Sequence, residues 1–173
     1  MRRIGGGVKR GIELDPPCGV TGFPFGATVG AVKGEAAEWG QVAVQDVGVA
    51  DPVRCMKALL LHPQFEVVFH FEDGRTLTAA EAWILGPGPE EITVSFRGVD
   101  VFRTPARVLL ERLREMGLTV HDETLYANVP QLSLGFTRVA GREVPLDSDG
   151  EPLYFQAVLT GPVGYYDFLM VEG

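Results

Sequence analysis

Phe65-Glu66-Val67-Val68-Phe69-His70-Phe71-Glu72-Asp73-Gly74-Arg75 sets a large apolar residue at every second position and then breaks at Asp-Gly. A period of two puts Phe65, Val67, Phe69 and Phe71 on one face of a strand, and Asp-Gly is a strong hairpin signal. A tight two-residue turn sets Glu72 opposite Arg75, Phe65 opposite Ala82 and Glu66 opposite Glu81. The returning strand then adds Ala80, Ala82 and Ile84 to the same apolar face, a surface suited to covering a helix.

Two helices are predicted to lie on either side of this hairpin in the chain. Thr28 reads as an N-cap, with Val29, Val32, Ala36 and Trp39 on one face and Gly40 as the stop. Thr104-Pro105 reads as N-cap plus N1 proline, with Ala106, Leu109, Leu110, Leu113 and Met116 as the stripe and Gly117 as the stop. The two segments correspond: Phe25, Val32, Ala36, Trp39 and Gly40 recur at one constant offset as Phe102, Leu109, Leu113, Met116 and Gly117. Downstream, Phe65–Phe69 is echoed by Gln131–Phe136, and Glu81–Leu85 by Gln156–Leu159. The expected fold is therefore α+β: an antiparallel sheet with two packed helices, built from two tandem helix-plus-strands repeats at about 11–86 and 91–160 within a single domain, 1–173. Gly86-Pro87-Gly88-Pro89 marks the junction. Gly11–Asp15 reads as an edge strand, and residues 52–61 fit helix or strand equally.

Bulk properties narrow the function classes. The 173 residues carry a net charge of −8 and a pI near 4.9. Nucleic-acid and anionic-membrane binding require concentrated basic surface, so neither is expected, and a basic protein is the partner this charge attracts. No stretch is long and apolar enough for a membrane span. The N-terminal Met1–Arg10 lacks the apolar run of a signal peptide, and Cys18 and Cys55 have no zinc-ligand spacing. Cytoplasm is the expected compartment, with no cofactor and no metal.

Candidate chemistry is sparse. Glu66, His70 and Glu72 share the polar side of the first hairpin strand, and Glu66 facing Glu81 raises one carboxyl pKa toward acid–base use. Glu66, His70 and Glu81 are therefore the candidate catalytic group, against the alternative of a solvated sheet face. His121-Asp122-Glu123 and Asp147–Glu151 read as loop and turn rather than metal sites. Arg103, Arg107 and Arg114 read as a solvated helix side, with Arg107 paired to Glu111 four residues on. Tyr165-Tyr166, after Gly164, is either an exposed aromatic anchor or a cap on the core.

The motif Gly98-Val99-Asp100-Val101-Phe102, the Thr104-Pro105 helix and Leu132-Ser133-Leu134-Gly135-Phe136 together resemble small intracellular bacterial proteins of the actinobacterial type. Most of these are uncharacterised, and some are immunity-protein-like. The duplicated plan is also similar in outline to β-lactamase inhibitory protein, a secreted tandem-repeat binder. This chain lacks the secretion signal and disulfide pattern of that protein, so neither its target nor its contact residues carry over. The absence of catalytic motifs, the acidic balance and the compact duplicated scaffold together point to a non-enzymatic cytoplasmic protein-binding module, an inhibitor or immunity protein against a basic partner, with Tyr165, Tyr166, Glu66 and Glu72 as binding residues. The alternatives are a small-molecule binder or hydrolase-like enzyme using Glu66, His70 and Glu81, and a self-associating structural domain.

Overall fold

The computed structural model describes residues 10–50, 53–85, 92–139 and 144–167. The Gly86–Pro89 junction, the leader before residue 10 and the apolar tail from Phe168 lie outside the described residues. The chain is α+β with mostly antiparallel pairing, and its strands form two sheets where the hydrophobic patterning predicts one.

The larger sheet contains β4 (Gln41–Ala50), β5 (Val53–His62), β6 (Phe65–Phe71) and β7 (Ala79–Ile84) from the first half of the chain. From the second half it takes β10 (His121–Asp122), β11 (Tyr126–Val129), β12 (Leu134–Thr137) and β13 (Ala157–Thr160). The spatial order is β10-β11-β12-β13-β7-β6-β5-β4. Residues 52–61 thus resolve as strand over the described part, because Ala58 and Leu60 alternate inward beside Phe69 and Val67.

The smaller sheet has the order β3-β2-β1-β8-β9. It is formed by β1 (Arg10–Asp15), β2 (Gly19–Val20), β3 (Phe23–Pro24), β8 (Ile92–Phe96) and β9 (Val99–Asp100). β1 is interior rather than at an edge: it pairs antiparallel with β2 and parallel with β8, Glu13 aligning with Ser95. The Ser95 hydroxyl donates to the Glu13 carboxylate across that pairing.

Helix α1 (Val29–Ala37) begins where Thr28 Oγ1 accepts from Ala31 N at 3.3 Å, and it buries Val32 and Ala36. Helix α2 (Ala106–Glu115) differs from its predicted start. Pro105 is the N-cap, no side chain caps it, and the first helical N–H donates to the Leu153 carbonyl at 2.8 Å. Gly117 follows with φ +81, the left-handed position past a helix end where a side chain is disfavoured. One buried cluster joins Ile12 and Val94 of the small sheet, Val32 of α1, Leu109 and Leu113 of α2, and Phe69 and Phe136 of the large sheet. Within it Phe23 stacks on Phe69 at 4.6 Å and Phe136 on Phe155 at 5.1 Å. Each such ring stabilises the fold by about 2–3 kcal/mol through burial.

Both helices pack into this core from the side to which Phe65, Val67, Phe69, Phe71, Leu134 and Phe136 point. The opposite face of the large sheet carries no helix among the described residues.

The hairpin β6–β7 is longer than the Asp-Gly signal predicts. Phe65 pairs with Ile84, Glu66 with Trp83, Val68 with Glu81 and His70 with Ala79, a register displaced by two residues. The reason is local. Asp73 Oδ1 accepts from Arg75 N (2.8 Å) and Thr76 N (2.7 Å), so the loop closes on a side chain rather than on the opposing strand. Leu77 then inserts into the core, its N–H donating to the Ala27 carbonyl and its own carbonyl accepting from Gly26 N. A shift of two preserves which face each residue occupies, so the apolar side is as expected while the cross-strand neighbours differ.

Candidate functional site

On the helix-free face of the large sheet the side chains fall into rows that follow the hydrogen-bonded register. One row runs Ala43, Leu59, Val68, Glu81, Leu159, Gly135, Asn128, His121 across the eight strands. Beside it runs Gln41, Leu61, Glu66, Trp83, Ala157, Thr137, Tyr126. On the other side lie Gln45, Lys57, His70 and Ala79. The first of these rows crosses seven inter-strand spacings of about 4.8 Å, the second six, and the third is confined to four strands.

Near its centre His70 and Glu81 meet on the diagonal, Nε2 to Oε2 at 3.6 Å, with side chains 18% and 22% exposed. That is an ion-pair distance, longer than a hydrogen bond. Burial pushes the Glu81 carboxyl up, but the His70 imidazole, the Trp83 side chain and the Lys57 charge together hold its pKa below the ordinary glutamate value. The expected opposition of Glu66 and Glu81 is therefore not formed. Glu66 faces Trp83, Glu81 faces Val68, and Glu81 is held ionised instead of being raised toward neutral pH. Glu72 stands exposed in the loop after β6.

The two tyrosines rest on this same face. Tyr165 and Tyr166 meet edge-on at 5.2 Å, in the turn after β13. They are seated on glycines. A Cβ at Gly161 would stand 2.6 Å from Tyr165 Cγ, and one at Gly135 would collide with the Tyr166 hydroxyl oxygen and stand 2.8 Å from Cζ. Burial, then the Tyr165 and Glu81 charges, push the Tyr166 phenol up to about 12. Tyr165 is raised by burial and by the charges of Glu72 and Glu81. The pair is thus half-buried over the sheet, joining Glu81 and, electrostatically, Glu72.

Beside Tyr166 the face sinks into a cavity of about 410 Å³, bordered by Glu81, Glu123, Tyr126, Asn128, Gly135 and Leu159. Tyr126 is 57% exposed at its mouth. Trp83, Tyr126 and Asn128 stand in no motif that marks them from sequence as site residues. The available signal was Gly135, a glycine interrupting the Leu134/Phe136 alternation, which marks a close approach to the backbone.

The arginines of α2 belong to a separate, charged end of the molecule. Arg107 does not hold to Glu111 as predicted. Its Nε lies 3.1 Å from Asp147, and its Nη2 contacts Asp149. The Asp147–Glu151 turn is tied by Asp147 Oδ1 accepting from Asp149 N and Glu151 N. Arg138, only 3% exposed, binds Glu151 at 2.7 Å and Asp122 at 3.0 Å, with its guanidinium 5.2 Å from the centre of the Phe155 ring. These contacts join the second half of the chain to itself.

Among the described residues no three His, Cys, Asp or Glu side chains are grouped to hold a metal, and no helix is long and apolar enough to cross a membrane. Cys18 and Cys55 are both free thiols. Comparison with family models, curated proteins and solved structures finds no match to this chain.

Proposed function

We propose that this chain is a non-enzymatic cytoplasmic protein-binding module, of the inhibitor or immunity kind, that engages a basic partner with the helix-free face of its large sheet. The observation that carries this reading is the face itself. It spans eight strands and bears Trp83, Tyr126, Tyr165 and Tyr166 among Leu59, Leu61 and Leu159. Aromatic residues are the side chains that dominate protein–protein interfaces. Glu66, Glu72, Glu81 and Glu123 set its charge against Lys57, which favours a cationic partner and matches the net charge of −8.

The tandem repeat belongs to the same proposal. Strand order supports it, since β7-β6-β5-β4 runs outward from the central β7/β13 pair as β13-β12-β11-β10 does on the other side. Each half also runs from strands of the small sheet (three in the first, two in the second) to a helix and then to four strands of the large sheet. Free cysteines accord with a reducing compartment. The hydrolytic alternative keeps the His70–Glu81 contact but not the opposition of Glu66 and Glu81, and the Glu81 carboxyl pKa is lowered rather than raised.

The test is affinity capture from the protein's own lysate with three baits: wild type, Tyr126→Lys on the face, and Glu115→Lys on the exposed side of α2. A basic partner held by wild type and Glu115→Lys, lost by Tyr126→Lys and weakened by salt is the expected result. Equal recovery by all three baits refutes the assignment of this face.

A further inference from the structure

We infer that the 410 Å³ cavity beside Tyr166 receives an arginine side chain of the bound partner, an inference that rests on the protein-binding reading above. Its lining places two carboxylates, Glu81 and Glu123, with two phenols, Tyr126 and Tyr166, and no basic residue among the described residues. The register builds it from separated strands. Glu81, Leu159, Gly135 and Asn128 are consecutive in one cross-strand row, and Tyr126 and Thr137 lie in the next. Gly135 has no side chain, and that space is what lets Tyr166 lie down beside the cavity.

A cation is the ligand this wall chemistry selects. Carboxylate supplies charge, aromatic rings attract a cation through their negative faces, and a flat guanidinium both stacks on rings and donates in several directions. Asn128 Oδ1, closed off within the wall, has no hydrogen-bond partner among the described residues. Glu81 is ionised in the folded protein and Tyr166 remains a neutral phenol at physiological pH, so the phenol adds no charge to that of the carboxylates. His70 contacts Glu81 from the adjoining row, the Trp83 side chain also bonds to it, and Lys57 lies beyond His70, while Glu81 borders the cavity.

The experiment titrates the full chain with N-acetylarginine methylamide and with its citrulline counterpart, which keeps the shape and loses the charge. Amide resonances of Asn128, Gly135 and Leu159 report on the cavity. Saturable shifts with arginine, weakened at least tenfold with citrulline and at least tenfold by Glu81→Gln, are the expected result. Tyr126→Ser provides a second variant whose exposed position leaves the core intact, and it should weaken arginine binding about fivefold, while Glu115→Gln on α2 leaves it unchanged. Equal binding of both probes overturns the inference, as do shifts that avoid these three residues or affinity indifferent to both cavity variants. If Tyr126→Lys abolishes partner capture while the arginine probe leaves the cavity unshifted, this inference fails and the protein-binding reading stands. If the probe binds here while capture ignores the face, the protein-binding reading fails instead.

Discussion

Gly135→Ala tests how the tyrosines are seated. The added methyl would collide with the Tyr166 hydroxyl and lie 2.8 Å from Cζ and 3.3 Å from Cε2, so the ring must leave its place. A tyrosine buries roughly 200 Å² when covered, and Tyr166 is half-buried, so about 100 Å² returns to water. At ~25 cal/mol per Å² that costs about 2.5 kcal/mol. Against it stands a gain of about 0.5–1 kcal/mol from removing a flexible glycine whose backbone tolerates a side chain. The expected net loss is about 1.5–2 kcal/mol, a fall in Tm of about 3–8 °C at this chain length. Urea unfolding of Gly135→Ala, Tyr166→Ser and the double variant forms the assay. In the Tyr166→Ser background Gly135→Ala should turn neutral or stabilising by up to about 1 kcal/mol. The Tyr166 phenol, pushed up to about 12 in the wild type, should titrate nearer its ordinary 10.0 in Gly135→Ala. An equal cost in both backgrounds would refute the steric account.

Other consequences are as direct. Arg138→Gln leaves the carboxylates of Asp122 and Glu151 without their buried partner. Because both keep about a third of their exposure, the loss should be about 3 kcal/mol, read by urea unfolding, and a change below about 1 kcal/mol would show the guanidinium to be dispensable. Gly30→Ala and Gly34→Ala meet open space on α1, and each should stabilise by about 0.5–1 kcal/mol; destabilisation by either contradicts the exposed placement of that helix side. Glu81, with its pKa lowered, contributes stability above the ordinary glutamate value of 4.5 that is lost as pH falls through its folded value. His70→Ala removes a group that holds it down, so a carbon-detected titration should show the Glu81 midpoint move up, and an unmoved midpoint would break the link between the two residues.

The parts of this fold that local pattern dictates were legible. Alternation at Phe65–Phe71 named the buried face correctly, and Thr28 is the N-cap it reads as. What pattern could not supply was the partner of each strand. Asp73 spends its carboxylate on the backbone of Arg75 and Thr76, a side-chain choice that lengthened the hairpin loop and moved Glu81 away from Glu66 toward His70. The small sheet was missed because its central contact joins residues 10–13 to 92–95, and nothing near either segment signals the other. Thr104 was displaced as a cap for a similar reason: Leu153, far along the chain, supplies the carbonyl that meets the start of α2. The candidate site was legible only as ingredients. His70, Glu81 and the two tyrosines were singled out from sequence, but their convergence depends on two glycines, Gly135 and Gly161, that leave room for rings.

The parallel pairing of β1 with β8 also has a consequence in time. A ribosome making ~5–20 residues per second finishes the first member of that pair roughly 4–16 s before the second. β7 must likewise wait for β13. During that interval the nascent first half exposes two strand borders that nothing yet occupies, one beside β1 and one beside β7. An early stop codon near the middle of the message would make that condition permanent, leaving a fragment with two open borders able to recruit strands from other polypeptides. Accurate completion of translation is therefore a structural requirement of this molecule.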